Sequence, residues 1–227
     1  MMLLIYQYLG FLLIPIIKLN ILFRLLNNKE DQKRYFERYG LSFLERPEGK
    51  LIWIHASSIG EFKSSITIIN KLSSHFTILL TTTTLTASNY AKNHFGNKII
   101  HQYAPLDVKT WVNRFLKKWK PSFVLWVESD LWPITLSLLK ERSIKSFLIN
   151  SRISPKSFNK WKYFKKFFTN MTNVFDEIYA QSKIDKGKLE SLTNRKINFI
   201  GNLKLTSKEK LNDELEFNNL QKKLNHH

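Results

Sequence analysis

From residue 51 onward the chain alternates short apolar runs with longer stretches of helical period. LIWIHA (51–56), Phe76 to Leu80, Ile99 to Tyr103, Phe123 to Val127, Phe147 to Ile149, Glu177 to Ala180 and Ile197 to Ile200 are each too short for an ordinary helix. Most are apolar without a break rather than alternating, which marks strands covered on both faces. The stretches ending near Leu72 and Phe95, the stretch VKTWVNRFLKKWK (108–120) and the one after Pro133 carry helical spacing. Asp107 precedes the third of these as its expected N-cap. The fold class predicted is α/β, a parallel sheet with helices on both faces.

In such sheets ligands bind beyond the carboxyl ends of the strands. The polar residues there are Ser57, Ser58, Gly60 and Glu61; Thr81 to Thr84 and Thr86; Glu128 and Asp130; Asn150, Ser151 and Arg152; Gln181; and Gly201, Asn202 and Lys204. All are expected on one rim.

Ahead of this body, residues 1 to 17 hold no charged side chain; Lys18, a second apolar run and Arg24 follow. No basic start and no small-residue cleavage site mark a secretory signal. A spanning helix takes about 20 apolar residues, so this one spans only if Lys18 snorkels, and Pro15 is expected to kink it. The basic flank (Lys18, Arg24, Lys29, Lys33, Arg34, Arg38) keeps the following domain cytoplasmic by the positive-inside rule. A membrane anchor over residues 1–25 is the expectation. A core helix or one lying in the interface is the alternative.

Composition narrows the classes. With 17 Phe, 8 Tyr and 6 Trp in 227 residues the chain has the apolar material for a packed core. It has no cysteine, which excludes a disulfide scaffold, a zinc ribbon and a thiol enzyme. The net charge of +18 suits a polyanion, an anionic membrane or a phosphorylated substrate. It equally reflects the abundance of Lys, Asn, Ile and Phe that an AT-rich genome imposes. No nucleic-acid-binding module is spelled out, and no nucleic-acid partner is expected.

Neither a metal site nor a Ser–His–Asp triad is supported by the dispersed histidines. What remains is a pair of carboxylates from different strand ends, Glu61 and Glu128, with Lys204 as a basic partner. A carboxylate can act as general base toward a hydroxyl, and a lysine or a helix N-terminus can stabilise charge developing on a donor. The turn Ser57-Ser58-Ile59-Gly60 opens a helix and offers N–H groups to an anion. Plain structural roles stand beside these: Glu61 as a first-turn helix acid, Glu128 with Asp130 as a capping pair, Lys204 as a surface lysine.

The spelling of these positions carries a resemblance. LIWIHASSIGE (51–61), TTTTLT (81–86), QYAPLD (102–107), VESDLWP (127–133), INSRIS (149–154), YAQS (179–182) and IGNLKL (200–205) occur in one order at close-fitting intervals. Together with KEDQKRYFERYG (29–40) they resemble the amino-terminal half of 3-deoxy-D-manno-octulosonic acid (Kdo) transferase, a membrane glycosyltransferase of lipid A biosynthesis. The resemblance implies a GT-B enzyme of two Rossmann-like domains, this being the acceptor-side one over residues 26–205. It implies Kdo transfer from CMP-Kdo to a lipid A precursor, lipid IVA, with inversion, without a metal and with no cofactor, at the cytoplasmic side of the inner membrane. It puts the general base on Glu61 and transition-state stabilisers on Glu128 and Lys204. Acceptor and anion contacts are expected from Ser57, Ser58, Gly60, Thr82, Thr83, Asp130 and Arg152. Two departures from the family's spelling appear: Asp130 is a shorter acid than usual, and Ser57 stands where a hydrophobic residue is common.

Pro155 to Asn170 (PKSFNKWKYFKKFFTN) interleaves lysines with aromatic rings, the composition of a helix on an anionic membrane or of an ordinary amphipathic core helix. A complete enzyme of this family is roughly twice as long, with most donor contacts in a carboxyl-terminal domain. The chain after 205 reads as a polar tail (206–227). The expectations are therefore a half completed by a separately encoded partner, or a catalytically incompetent acceptor-binding half.

Overall fold

The structure, a computed structural model, describes residues 2–128 and 130–203. Lys204 and the tail from 206 lie outside the described residues.

Seven strands form one parallel sheet: β1 (Leu51–His55), β2 (Thr77–Thr82), β3 (Ile100–Tyr103), β4 (Phe123–Val127), β5 (Lys145–Ser151), β6 (Glu177–Ala180) and β7 (Asn198–Phe199). Their order is β3-β2-β1-β4-β5-β6-β7. The chain therefore builds outward from β1 in one direction, then restarts at β4 on the other side of β1. Right-handed crossovers in opposite directions put helices on opposite faces, and the reversal leaves a crevice at the ends of β1 and β4. This is the expected Rossmann-like architecture.

The strand period of two sorts the core into two layers. Leu51, Trp53, Val124, Trp126 and Leu148 face one side, and Ile52, Ile54, Phe123, Leu125, Val127, Phe147 and Ile149 face the other. The first layer packs under α5 (Lys109–Trp119), α6 (Pro133–Glu141), α8 (Lys165–Thr172) and α9 (Lys183–Thr193); the second packs under α3 (Ile59–Leu72) and α4 (Leu85–Phe95).

Asp107 does not cap α5, whose N-cap is Val108 with no side-chain bond. Instead its carboxylate accepts from Ile134 N (3.0 Å), Thr135 N (2.7 Å) and Thr135 Oγ1 (2.7 Å) at the start of α6. The N-cap of α6 is Trp132, whose side chain makes no cap bond, so the orphan N–H groups there take their acceptor from another segment. The expected pairing of Glu128 with Asp130 at this helix start is thereby displaced.

The amino terminus is two helices, α1 (Met2–Leu12) and α2 (Ile14–Leu26), bent by 58°. Pro15 lacks an N–H and its ring clashes with the carbonyl four residues earlier, so α1 stops before it. Among the described residues no single helix is long and apolar enough to cross a membrane; α1 and α2 reach that length and hydropathy only when taken together across the bend. Leu9, Phe11, Leu12, Ile16, Leu19, Phe23 and Leu26 are all exposed.

Residues 30–40 clamp this amino terminus to the sheet. Buried Glu30 bridges Arg24 (3.0 Å) and Arg38 (2.7 Å), and Arg38 Nη2 donates to Thr83 O at 2.6 Å, just past β2. Glu37 accepts from Tyr103 N at 2.6 Å, occupying a donor of the edge strand β3. The segment ends at Gly40, φ +70°, where a Cβ would lie 2.0 Å from Trp111 O. Only glycine fits that turn.

The aromatic stretch after Ser154 is two helices, α7 (Pro155–Tyr163) and α8, rather than one. Phe168 is buried in the core and Phe158, Trp161 and Phe167 pack against it, whereas Tyr163 and Phe164 are exposed. Lys156, Lys160, Lys162 and Lys166 are exposed too.

Candidate active site

The site forms where β1 and β4 end side by side, His55 opposite Trp126. After β1 the chain turns at Ser57, and Ser58 caps α3 by accepting from Glu61 N at 3.3 Å. Glu61 is thus the third helical residue, and its Oε2 reaches back to accept from Ser57 N at 2.6 Å. This is a capping box stretched by one residue. The N–H groups of Ile59 and Gly60, in the helix's first turn, are the ones left without an intrahelical acceptor by helix geometry.

A dipole-complementing acid would sit wholly in water; Glu61 is half-buried. Burial pushes its pKa up from 4.5 to about 7, against the Ser57 N–H bond that favours the anion, and the negative charges of Glu128 and Asp130 raise it further. A carboxyl tuned near neutrality beside two others has the properties of a general base.

Glu128, directly past β4, is buried and held at φ +63°, a left-handed conformation unusual for a side-chain-bearing residue. Asn150, near the end of β5, and Gly201, past β7, turn the same way at φ +52° and φ +82°. Glu128 Oε2 pairs with Arg152 Nε at 2.9 Å, and Oε1 lies 3.5 Å from Asn150 Nδ2. Asn150 Oδ1 in turn accepts from Leu203 N at 3.3 Å, which brings the segment after β7 to the same rim. The Arg152 side chain is 58 % exposed, so its guanidinium bonds Glu128 on one side and meets water on the other.

Ser57 uses every polar atom it has. Its N–H holds Glu61, its Oγ donates to Asp130 Oδ2 (2.6 Å), and its carbonyl accepts from Thr83 N (3.0 Å) and Thr83 Oγ1 (2.8 Å). The hydroxyl expected to meet an acceptor or anion is therefore buried and spoken for. Thr82 is likewise redirected: fully buried, it contacts His101 Nε2 at 3.0 Å, because it points to the opposite sheet face from its neighbours in the threonine run. His101 is held neutral, its pKa pushed to about 3 by burial and by the Arg34 and Arg38 charges. Ser58, Gly60, Glu61, Thr83, Glu128, Asp130 and Arg152 gather at the β1–β4 crevice and the neighbouring strand ends. The Gly60 backbone is unstrained, and a Cβ there would meet only Ser58 Oγ, at 3.8 Å. Its place requires no glycine.

A family model described as 3-deoxy-D-manno-octulosonic-acid transferase (kdotransferase) matches residues 33–207. The chain belongs to the Kdo transferase family. Among its relatives, a 3-deoxy-D-manno-octulosonic acid transferase of Rickettsia bellii is 33% identical over 207 residues, 90% of this chain and 49% of the relative. A probable mitochondrial one of Arabidopsis thaliana is 40% identical over 159 residues, 69% of this chain and 36% of the relative. That of Haemophilus influenzae is 31% identical over 192 residues, 81% and 44%. The chain spans about half the length of the curated relatives it matches, or less. Every described strand-end group of the site falls within the segment matched to the Kdo transferase family.

Sequence reasoning passed over one buried group in this crevice, His55. It lies between Thr81 Oγ1 and Ser57 Oγ at 2.9 and 3.0 Å. The available signal was its spacing from Trp53: two residues apart on one strand, both with polar tips, they share a face.

Proposed function

We propose that this chain supplies the acceptor-side half of a Kdo transferase that moves Kdo from CMP-Kdo onto a lipid A precursor, lipid IVA, at the cytoplasmic face of the inner membrane. The observation that carries the reading is Glu61: a half-buried carboxyl with its pKa pushed up to about 7, fixed at the start of α3 and at the sheet's switch point. In this mechanism Glu61 takes the proton of an acceptor sugar hydroxyl as its oxygen bonds to the anomeric carbon of Kdo. The bond from that carbon to the CMP phosphate breaks on the opposite side, and the electron pair leaves with CMP. The first-turn N–H groups of α3 and the Arg152 guanidinium are the described groups suited to developing negative charge. Lys204 is proposed for the same task. The exposed apolar faces of α1 and α2, with the lysines of α7, support seating on an anionic membrane.

The test is transfer of Kdo from CMP-Kdo to lipid IVA by this chain alone and with a carboxyl-terminal half supplied separately. Glu61→Gln is expected to cost at least 10²-fold in kcat, the usual contribution of a positioned base. Wild-type activity should rise with pH through about 7, as Glu61 loses its proton. A Glu61→Gln variant with full activity would remove the assignment. Activity only with the second half would show that transfer needs both halves.

A further inference from the structure

Behind the Glu61 and Asp130 carboxylates runs a single file of polar groups that the proposed chemistry does not use. Trp53 Nε1 donates to Thr81 Oγ1 at 2.7 Å, and Thr81 Oγ1 lies 2.9 Å from His55 Nδ1. His55 Nε2 lies 3.0 Å from Ser57 Oγ, and Ser57 Oγ donates to Asp130 Oδ2 at 2.6 Å. Trp53, His55, Thr81 and Ser57 are buried, with 6 % or less of their surface exposed, while Asp130 stands open at the rim.

The proton positions follow from the ends inward. A hydroxyl has one proton, and that of Ser57 goes to Asp130, so toward His55 it offers a lone pair. His55 must then carry its proton on Nε2. Burial keeps the ring neutral, its pKa pushed down to about 4, so Nδ1 is bare and accepts from Thr81. The Thr81 lone pair is left for the indole N–H, which can only donate. Every donor in the file thus points toward Asp130, an alignment in which each bond polarises the next. The same Ser57 holds Glu61 through its N–H at 2.6 Å. One residue therefore sets the spacing between the base and the second carboxylate.

We infer that Ser57 and His55 are positioning residues that pin the Asp130 carboxylate beside Glu61, so that its outer oxygen accepts a hydroxyl of the sugar whose neighbouring hydroxyl Glu61 deprotonates. This rests on the reading of Glu61 as general base. The Ser57 hydroxyl spans the gap between the ring and the acid, 3.0 Å from His55 Nε2 and 2.6 Å from Asp130 Oδ2.

Two readouts test this on the full chain. In the first, histidine is labelled with nitrogen-15 and the His55 ring is assigned by loss of its signals in His55→Gln. At pH 7 the expected state is a neutral ring protonated on Nε2, shifting toward the Nδ1 form in Ser57→Ala. A wild-type ring protonated on Nδ1, or charged, overturns the file of bonds. In the second, Kdo transfer is measured with whatever second half the wild type requires. Ser57→Ala is expected to lose about tenfold in kcat, the size of one charge-assisted hydrogen bond. Ser57→Ala combined with Asp130→Glu is expected to recover to within about threefold of wild type, because the longer acid reaches His55 Nε2 directly. A double variant no better than Ser57→Ala overturns the positioning role. If the wild type transfers no Kdo while the ring spectrum is as expected, the catalytic reading has failed, the positioning role falls with it, and the file of bonds alone stands.

Discussion

Replacing Glu61 with glutamine should stabilise the fold at alkaline pH and leave it unchanged in acid. The carboxyl titrates near 4.5 when the chain is unfolded and at about 7 when folded, chiefly because the folded site buries it. Below pH 4.5 it is protonated in both states and contributes no difference. As pH rises the unfolded state loses the proton first, so stability falls until the folded carboxyl ionises at about 7, and above that the cost is constant. From 4.5 to about 7, at about 1.4 kcal/mol per tenfold, the cost reaches about 3 kcal/mol. The site is open to water on one side, so about 2 kcal/mol is the figure to expect, or roughly 4–8 °C in Tm for a domain of this size. Glutamine keeps an oxygen for the Ser57 N–H and removes the charge. The assay is urea unfolding of both proteins at pH 4.5 and pH 8.5, comparing the wild-type-to-variant difference so that other titrations cancel. A gain of the same size at both values, or none at pH 8.5, would refute a half-buried carboxylate held at a cost. On the proposed mechanism the same substitution lowers Kdo transfer at least 10²-fold, so that Glu61 would trade stability for chemistry.

Gly40→Ala should cost the fold at least about 3 kcal/mol, since its Cβ would sit 2.0 Å from a backbone oxygen at φ +70°. Thermal unfolding checks it, and a change in Tm under about 2 °C would contradict the geometry. Glu30→Gln leaves Arg38 buried without its counter-charge and should destabilise by about 3–5 kcal/mol in urea; Glu45→Gln, on an exposed loop residue, should change nothing measurable. Replacing Lys156, Lys160 and Lys162 by glutamate should weaken the salt-sensitive part of binding to anionic vesicles by at least about 10²-fold, at about 1 kcal/mol per charge. Unchanged co-sedimentation would remove α7 from the membrane face.

The central strands were legible because a parallel sheet buried on both faces writes itself as unbroken apolar runs, as in β1 and β4; β3, β6 and the exposed β7 carry polar residues, yet all seven runs became strands. Their ends were less so: β5 begins at Lys145 and finishes at Ser151, where the ladder continues through polar residues that the apolar run does not include. Asp107 shows the limit of local rules. It stands where an N-cap of α5 should be, and its acceptors serve a helix 27 residues on. Thr82 shows another, because an alternating run reveals two faces without saying which one meets the ligand. The largest omission, His55, has the same origin. Its partners are two residues and 26 residues away, and the file it belongs to ends 73 residues from Ser57 at Asp130. No spacing rule links positions that far apart. What links them is strand order: β4 lies beside β1 only because the sheet reverses its direction of growth there. Given that reversal, the residue after β1 and the residues after β4 must face one another across the crevice. Sequence reasoning can therefore reach the rim and its acids. The bonds among them follow only once the order of the strands is known.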